Sequence, residues 1–303
     1  MLRDKVTEFF VELDDFYQEF ASELKNRPLL EDSSKKRRNR QGQLSDSEMM
    51  SIYLLFHYGQ FTNFKHFYNQ YVCIHMRDLF PKLVSYERFN ARQDRILLPL
   101  LLYLRYRGLG KSRGINYIDS TLLRVCHIKR EKQHCVFKDV AAKGKSTMGW
   151  FFGFKLHLII NDRGELLSFY LTKGNVDDRN IDVMTAMTKD IFGKLFGDRG
   201  YISKALAELL FQDGIQLITK VRKNMKKQNL SDVDAILLRK RALVESVNDE
   251  LKNICKIEHT RHRSVKGFLV NLIAGLTAYC FLPKKPSLNI TPIESNQLTL
   301  WAA

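Results

Sequence analysis

One short stretch restricts this chain more than any other: Leu195-Phe196-Gly197-Asp198-Arg199-Gly200-Tyr201. An apolar run delivers a single carboxylate into a turn flanked by two glycines. A helix-like segment, Ile202 to Gln212, follows at once. A carboxylate at the end of a buried strand needs a counter-charge or a ligand. Gly197 and Gly200 let the backbone turn sharply and let something large approach it. Whatever the fold, it has to bring Asp198 to an accessible strand end.

The pattern before this stretch changes character once. Val6, Phe9, Phe10, Leu13, Phe16, Tyr17, Phe20 and Leu24 recur at steps of three and four, which predicts an amphipathic helix ending near Pro28. The run Lys35-Lys36-Arg37-Arg38-Asn39-Arg40 follows. It reads equally as a solvated loop or a phosphate-contacting arm. Ser45-Asp46-Ser47-Glu48 has the capping-box pattern, so a helix should run from there to about Tyr58. Phe61, Phe64, Phe67, Tyr68 and Tyr71 suggest another, and Ser85 caps a third that carries Ile96, Leu97, Leu100, Leu101 and Leu104. With Lys65, His66, Arg88, Arg92 and Arg95 on them, these helices resemble a helix-turn-helix reader or a plain bundle.

After Gly108-Leu109-Gly110 the period shortens to two. Strands are expected at Ile115 to Val125, Phe151 to Ile160 and Leu166 to Leu171, the last two joined by the turn Asn161-Asp162-Arg163-Gly164. A helix near Asn180 to Ile191, the Asp198 strand, a helix and a strand at Gln216 to Val221 follow. Hairpin strands followed by alternating helix and strand make an α/β layered class. A long helix should start at Ser231, with Val233, Ile236, Leu237, Val244, Val247, Leu251 and Ile254 as its apolar stripe. This divides the chain into a helical region at 1–110, an α/β domain at 111–286 and a tail at 287–303.

Charge narrows the partner. Lys plus Arg number 49 against 33 Asp plus Glu, a formal net charge of +16. Such a surface favours a polyanion through counterion release. Gly267 to Leu282 is short for a membrane span and holds Asn271, so it reads as a core helix and no membrane is expected. The five cysteines form no Cys-x-x-Cys pair, which suits free thiols in a cytoplasm.

Three acids stand where the layered pattern would gather them. Asp119 lies inside the first strand, in Tyr117-Ile118-Asp119-Ser120-Thr121. Asp198 ends the later strand, and both project the same way if those strands are neighbours. Glu245 sits at the rim of the long helix's apolar stripe. Three hard oxygen ligands suit Mg²⁺ or Mn²⁺, and two such ions can stabilise both oxygens of an in-line phosphoryl displacement. Arg241 and Lys252 share the Glu245 stripe, as a metal-and-phosphate helix would want; an ordinary ion pair at i,i+4 would look the same.

Other groups were weighed beside these acids. Cys126-His127 and His134-Cys135 carry metal-binding types, but their spacing matches no standard zinc finger, and Lys129, Arg130 and Lys132 between them read as phosphate contacts. His157 reads as a packed or hydrogen-bonded strand residue. Asp177 and Asp178 read as N-caps or as catalytic acids. Lys220, Arg222, Lys223, Lys226 and Lys227 form a basic run for DNA.

Taken together, Tyr-Ile-Asp119-Ser-Thr, Gly-Asp198-Arg-Gly-Tyr and Arg241-x-x-x-Glu245-x-x-x-x-x-x-Lys252 resemble the three blocks of bacterial DDE transposases with a ribonuclease-H-like core. Gly149 to Leu158, Ile257 to Ser264 and the helical N-terminus resemble insertion-sequence family 982, with the likeness running from about Leu44 to Pro286. The resemblance implies a ribonuclease-H-like mixed sheet flanked by helices, behind an all-α, helix-turn-helix-like N-terminal region. It implies that Asp119, Asp198 and Glu245 bind Mg²⁺ or Mn²⁺. It implies that Arg241 and Lys252 contact double-stranded DNA at terminal inverted repeats and target. A homo-oligomer on DNA, at the nucleoid of a bacterial cytoplasm, is expected. One departure stands out: relatives often have Tyr three residues before the Arg, where this chain has Leu238. A stand-alone nuclease of the same fold and a DNA-binding protein with a silent core are the alternatives.

Overall fold

The computed structural model describes residues 2–26, 43–147, 149–220, 230–259 and 261–288. The helical half opens with α1 (Leu2–Asn26), whose Val6, Phe9, Leu13 and Phe16 are buried. The basic run at 35–40 lies outside the described residues. α2 (Asp46–Tyr58) starts at the expected capping box: the Ser45 hydroxyl accepts from the Glu48 N–H at 3.0 Å, and the Glu48 carboxylate accepts from the Ser45 N–H at 2.6 Å. Almost the whole surface of α2 is buried, because α1 covers one side and the C-terminal helix another. Oδ2 of buried Asp46 accepts from the Tyr17 hydroxyl at 2.7 Å and pairs with Arg95 at 3.2 Å.

Short pieces follow: α3 (Phe64–His66), a π turn, α4 (Cys73–His75) and α5 (Tyr86–Ala91), the last capped by Ser85. The Ser85 helix does not reach Leu104 as expected. It ends at Ala91, and α6 (Leu97–Tyr103) begins afresh. Pro99 is the reason: its ring clashes with the carbonyl four residues back, so it is tolerated only in a first turn.

The sheet has six strands: β1 (Ile115–Cys126), β2 (Ala142–Ser146), β3 (Gly149–Asn161), β4 (Leu166–Lys173), β5 (Gly193–Gly197) and β6 (Ile215–Thr219). The order is β2-β3-β1-β5-β6, with β4 also on β3. β1, β3 and β4 are antiparallel, while β5 and β6 run parallel to β1. Three antiparallel strands followed by two parallel ones, with helices on both faces, is the ribonuclease-H-like arrangement. β2 was not expected, since Ala-Lys-Gly-Lys-Ser has no apolar alternation; its ladder to Gly149–Gly153 holds it.

Strand alternation sends neighbours to opposite cores. Ile118, Ile159 and Leu195 pack under α7 (Ile181–Thr188) and α8 (Lys204–Gln212). Tyr117, Leu158, Ile160 and Phe196 pack on the other side, under α9 (Asp232–Arg239), α10 (Ala242–Asp249) and α11 (Val265–Cys280). Asp119 therefore faces the α10 side, with Tyr117.

α9 and α10 are two helices where one was expected. The chain breaks at Lys240–Arg241, and Val233 and Ile236 of the expected stripe are exposed. α11 is the expected core helix, buried along its length against α2 and α6. Its Tyr279 hydroxyl donates to the Gly164 carbonyl at 2.7 Å, tying it to the β3–β4 turn. Among the described residues no helix is long and apolar enough to cross a membrane.

Candidate active site

β1 and β5 are adjacent and parallel, with Tyr117 opposite Phe196. Two residues further along each strand direction stand Asp119, inside β1, and Asp198, just past the end of β5, so the two acids are level on neighbouring strands. Asp198 caps a 3₁₀ turn, Arg199–Tyr201, by accepting from the Gly200 N–H at 2.7 Å. Neither glycine of this loop has a positive φ. They are there for close approach: a β-carbon on Gly200 would lie 2.8 Å from the Asp198 carboxylate, and one on Gly197 would lie 3.1 Å from the Tyr201 ring.

α10 runs along β1 and brings the third acid. Asn248, one turn beyond Glu245, donates to Asp119 Oδ2 at 3.0 Å. Arg241 sits between the acids, with one nitrogen 3.7 Å from Asp119 Oδ1 and the other 2.6 Å from Glu245 Oε1. The Glu245 side chain is 58% exposed and that of Asp119 only 20%. Burial pushes the Asp119 carboxyl up to about 7; Arg241 works against this, and the charges of Asp198 and Glu245 add to it. Of the three acids expected to converge, Asp198 and Glu245 thus both bear on Asp119. Lys252, on a π turn after α10, also faces β1, donating to the Leu122 carbonyl at 2.7 Å and pairing with Glu258 at 3.1 Å.

Two further neighbours bear on this site. Asn248 was missed in the sequence, although its i+3 spacing from Glu245 places it on the same face. Asp178 was read as an N-cap or catalytic acid, but Asn180 caps α7. Asp178 instead accepts from the Ser120 hydroxyl at 2.9 Å and from Lys155 at 3.2 Å. It is a fourth carboxylate beside the residue that follows Asp119. Asp177 is clamped by Arg179 at 2.7 Å. His157 is fully buried and bonded to the Thr172 hydroxyl at 2.9 Å, the packed role expected of it.

The proposed DNA contacts are scattered. Lys129 and Arg130 are exposed on a 3₁₀ helix after β1, and Lys220 is exposed just past β6. Arg222, Lys223, Lys226 and Lys227 lie outside the described residues. Leu238, where relatives often have Tyr, is buried in the core.

As they stand, no three His, Cys, Asp or Glu among the described residues are placed to hold a metal ion. Arg241 contacts both Asp119 and Glu245. The donor chemistry still fits a hard divalent cation. All the candidate ligands are oxygens, and Asn248 Oδ1 is buried beside Asp119 with no hydrogen-bond partner among the described residues. A buried carboxylate with two more negative charges bearing on it calls for more positive charge than one guanidinium provides.

The sheet order is that of a ribonuclease-H-like domain. The family model described as "Transposase DDE domain" matches residues 109–265, more than half of the chain. The chain belongs to that family and is a DDE-type DNA transposase. Among solved structures it is similar to the piggyBac transposase in a cryo-EM synaptic complex with hairpin DNA. That likeness has 11% identity and a TM-score of 0.46, and covers 82% of this chain and 69% of the other. No curated protein matches the chain.

Proposed function

We propose that this transposase cuts DNA at the terminal inverted repeats of a bacterial insertion sequence of the family-982 type and joins the freed ends to target DNA. Asp119, Asp198 and Glu245 would hold Mg²⁺ or Mn²⁺. The supporting observation is the level placement of Asp119 and Asp198 on adjacent parallel strands, with Glu245 close enough for its charge to bear on Asp119. When bound, divalent ions supply charge neutralisation and activation of the attacking and leaving oxygens.

The remaining chemistry falls to the chain's own side chains. Asn248 orients Asp119. Arg241 holds Asp119 and Glu245 until DNA arrives, then turns its planar fork to a phosphate and frees both carboxylates. In cleavage, a water oxygen bonds to phosphorus and the 3′-oxygen leaves with a proton. In joining, that 3′-hydroxyl attacks a target phosphate, loses its proton and displaces another 3′-oxygen, so phosphodiester bonds are conserved in number. Lys129, Arg130, Lys220, Arg222, Lys223 and Lys252 bind backbone phosphates. Residues 1–110 read the element's end, residues 111–286 carry the chemistry and 287–303 form a tail. The protein works as a homo-oligomer on paired ends at the nucleoid.

Asp198→Asn tests the assignment. It should abolish Mg²⁺-dependent cleavage of an end-bearing duplex while leaving duplex binding intact. Retained cleavage would remove Asp198 from the mechanism.

A further inference from the structure

Trp150 has no part in the site just described, and its position needs an explanation. It opens β3 at the β2–β3 hairpin, and 55% of it is exposed. Lys145 is its cross-strand partner. The Lys143 and Lys145 amines lie 5.0 Å and 5.7 Å from its ring centroid. Lys143 has only a distant acid, Glu131 at 4.0 Å, and among the described residues no carboxylate pairs with Lys145. An exposed indole beside two under-neutralised ammonium groups suits a ligand that is flat, apolar on its face and negatively charged at its edge.

The hairpin is held in place. A β-carbon on Gly144 would lie 2.1 Å from the Gly174 carbonyl, so the strand is pressed against the loop after β4. Between hairpin and loop runs an open cleft of about 440 Å³, lined by Trp150, Lys143 and Lys145. The same cleft is lined by Asp178 and Gly200. Gly200 is the residue whose N–H fixes Asp198. Of the cations lining the cleft, Lys155 and Arg179 are already matched by Asp178 and Asp177, which leaves Lys143 and Lys145 beside the indole as the less neutralised pair. One cleft therefore joins an aromatic, cationic platform to the loop of a catalytic acid.

We propose that Trp150, Lys143 and Lys145 form a seat for one unpaired nucleotide of the DNA strand next to the bond being cut. The base stacks on the indole, and the lysines take the flanking phosphates. A fully paired duplex keeps its base faces stacked and cannot use the platform, whereas a frayed or nicked end can. The proposal rests on the transposase reading of the neighbouring acids. It adds the form of DNA that the site selects.

The test is binding in EDTA, which separates the seat from catalysis. The full chain carrying Trp301→Phe, so that Trp150 is the lone indole, is titrated with a paired duplex and with the same duplex bearing three unpaired terminal nucleotides. The expected result is strong quenching of Trp150 emission by the unpaired end and about tenfold tighter binding of it. Trp150→Ala should erase that preference and leave paired-duplex affinity unchanged, and Trp150→Phe should keep part of it. Equal affinities in the starting protein, or a preference that survives Trp150→Ala, overturns the seat. Unchanged emission at saturating unpaired DNA does so too, and needs no further variant. Asp198→Asn run with Mg²⁺ judges the catalytic reading separately: its cleavage can fail or persist without altering the EDTA result.

Discussion

Two clusters of buried ionisable groups lie in this protein, and burial has opposite consequences in them. Where β1 passes the end of β5, burial pushes the Asp119 carboxyl up to about 7 while neighbouring acids add to the repulsion. Between α2 and the segment leading to α11, burial pulls His57 down to about 4 and His262 to about 3, with His259 lowered as well. His57 is anchored to the Cys255 carbonyl at 2.6 Å, and the His259 and His262 rings stack at 3.6 Å. The histidines settle their burial by staying neutral and packing, so they join the helical half to the catalytic half. The acids are instead held by Arg241, by Asn248 and by the Gly200 N–H, with mutual repulsion bearing on Asp119. On the proposed function, one cluster stabilises the fold and the other gives up stability for chemistry.

Breaking the acid cluster should have the largest effect. Asp119→Asn is expected to lower strand cleavage by at least about 10³-fold, because a metal ligand and a charge are lost together. The same change should raise the melting temperature of the metal-free protein at pH 8. Its folded pKa lies above the unfolded 3.8, so ionised Asp119 weakens the fold as pH climbs through about 7, and Asn removes that penalty. A melting temperature that falls instead would mean that Asp119 is a structural acid.

The histidine cluster should respond in the reverse direction. The folded pKa of His57 lies below its unfolded 6.5, so its contribution is present above pH 6.5 and is lost as pH falls toward 4. Between pH 7 and pH 5 this one residue should account for about 2 kcal/mol. Urea midpoints for the starting protein and His57→Gln check it, and parallel pH profiles would sink the assignment.

Arg241→Ala sharpens the contrast further. With the guanidinium gone, Asp119 and Glu245 have no resident cation. Mn²⁺ affinity without DNA should then rise by about tenfold, one pKa unit's worth of interaction, while affinity for DNA ends falls. Calorimetric titration reads both, and a weakened Mn²⁺ site would make Arg241 a supporting residue instead. The smallest expected effect is at Lys252, already engaged by Leu122 and Glu258. Lys252→Ala should lower the salt slope of DNA binding by about one unit.

Much of this was legible from local chemistry. The Ser45 capping box, the alternation in β1 and β3 and the glycines around Asp198 each act over a few residues, and the chain obeys them. Asp119 stood out as a charge in an apolar strand. What was missed depends on contacts distant in sequence. β2 exists because β3 offers it a ladder, and position 144 has to be glycine because the Gly174 carbonyl lies against it. Asn248 became visible once α10 was laid against β1. Asp178 gained meaning through Ser120 and Lys155, which no spacing rule connects to it. The break at Lys240–Arg241 hides in a good apolar stripe, because the periodicity of Leu237 and Val244 survives the gap.

The central claim is that Asp119, Asp198 and Glu245 share divalent cations once Arg241 is drawn to DNA. A crystal of the protein with an end-bearing duplex and Mn²⁺, examined by anomalous diffraction, tests it directly. The account predicts a Mn²⁺ peak between the Asp119 and Asp198 carboxylates, Glu245 turned to it and Arg241 on a phosphate. Manganese bound elsewhere, with Arg241 still clasping Glu245 beside bound DNA, would contradict it.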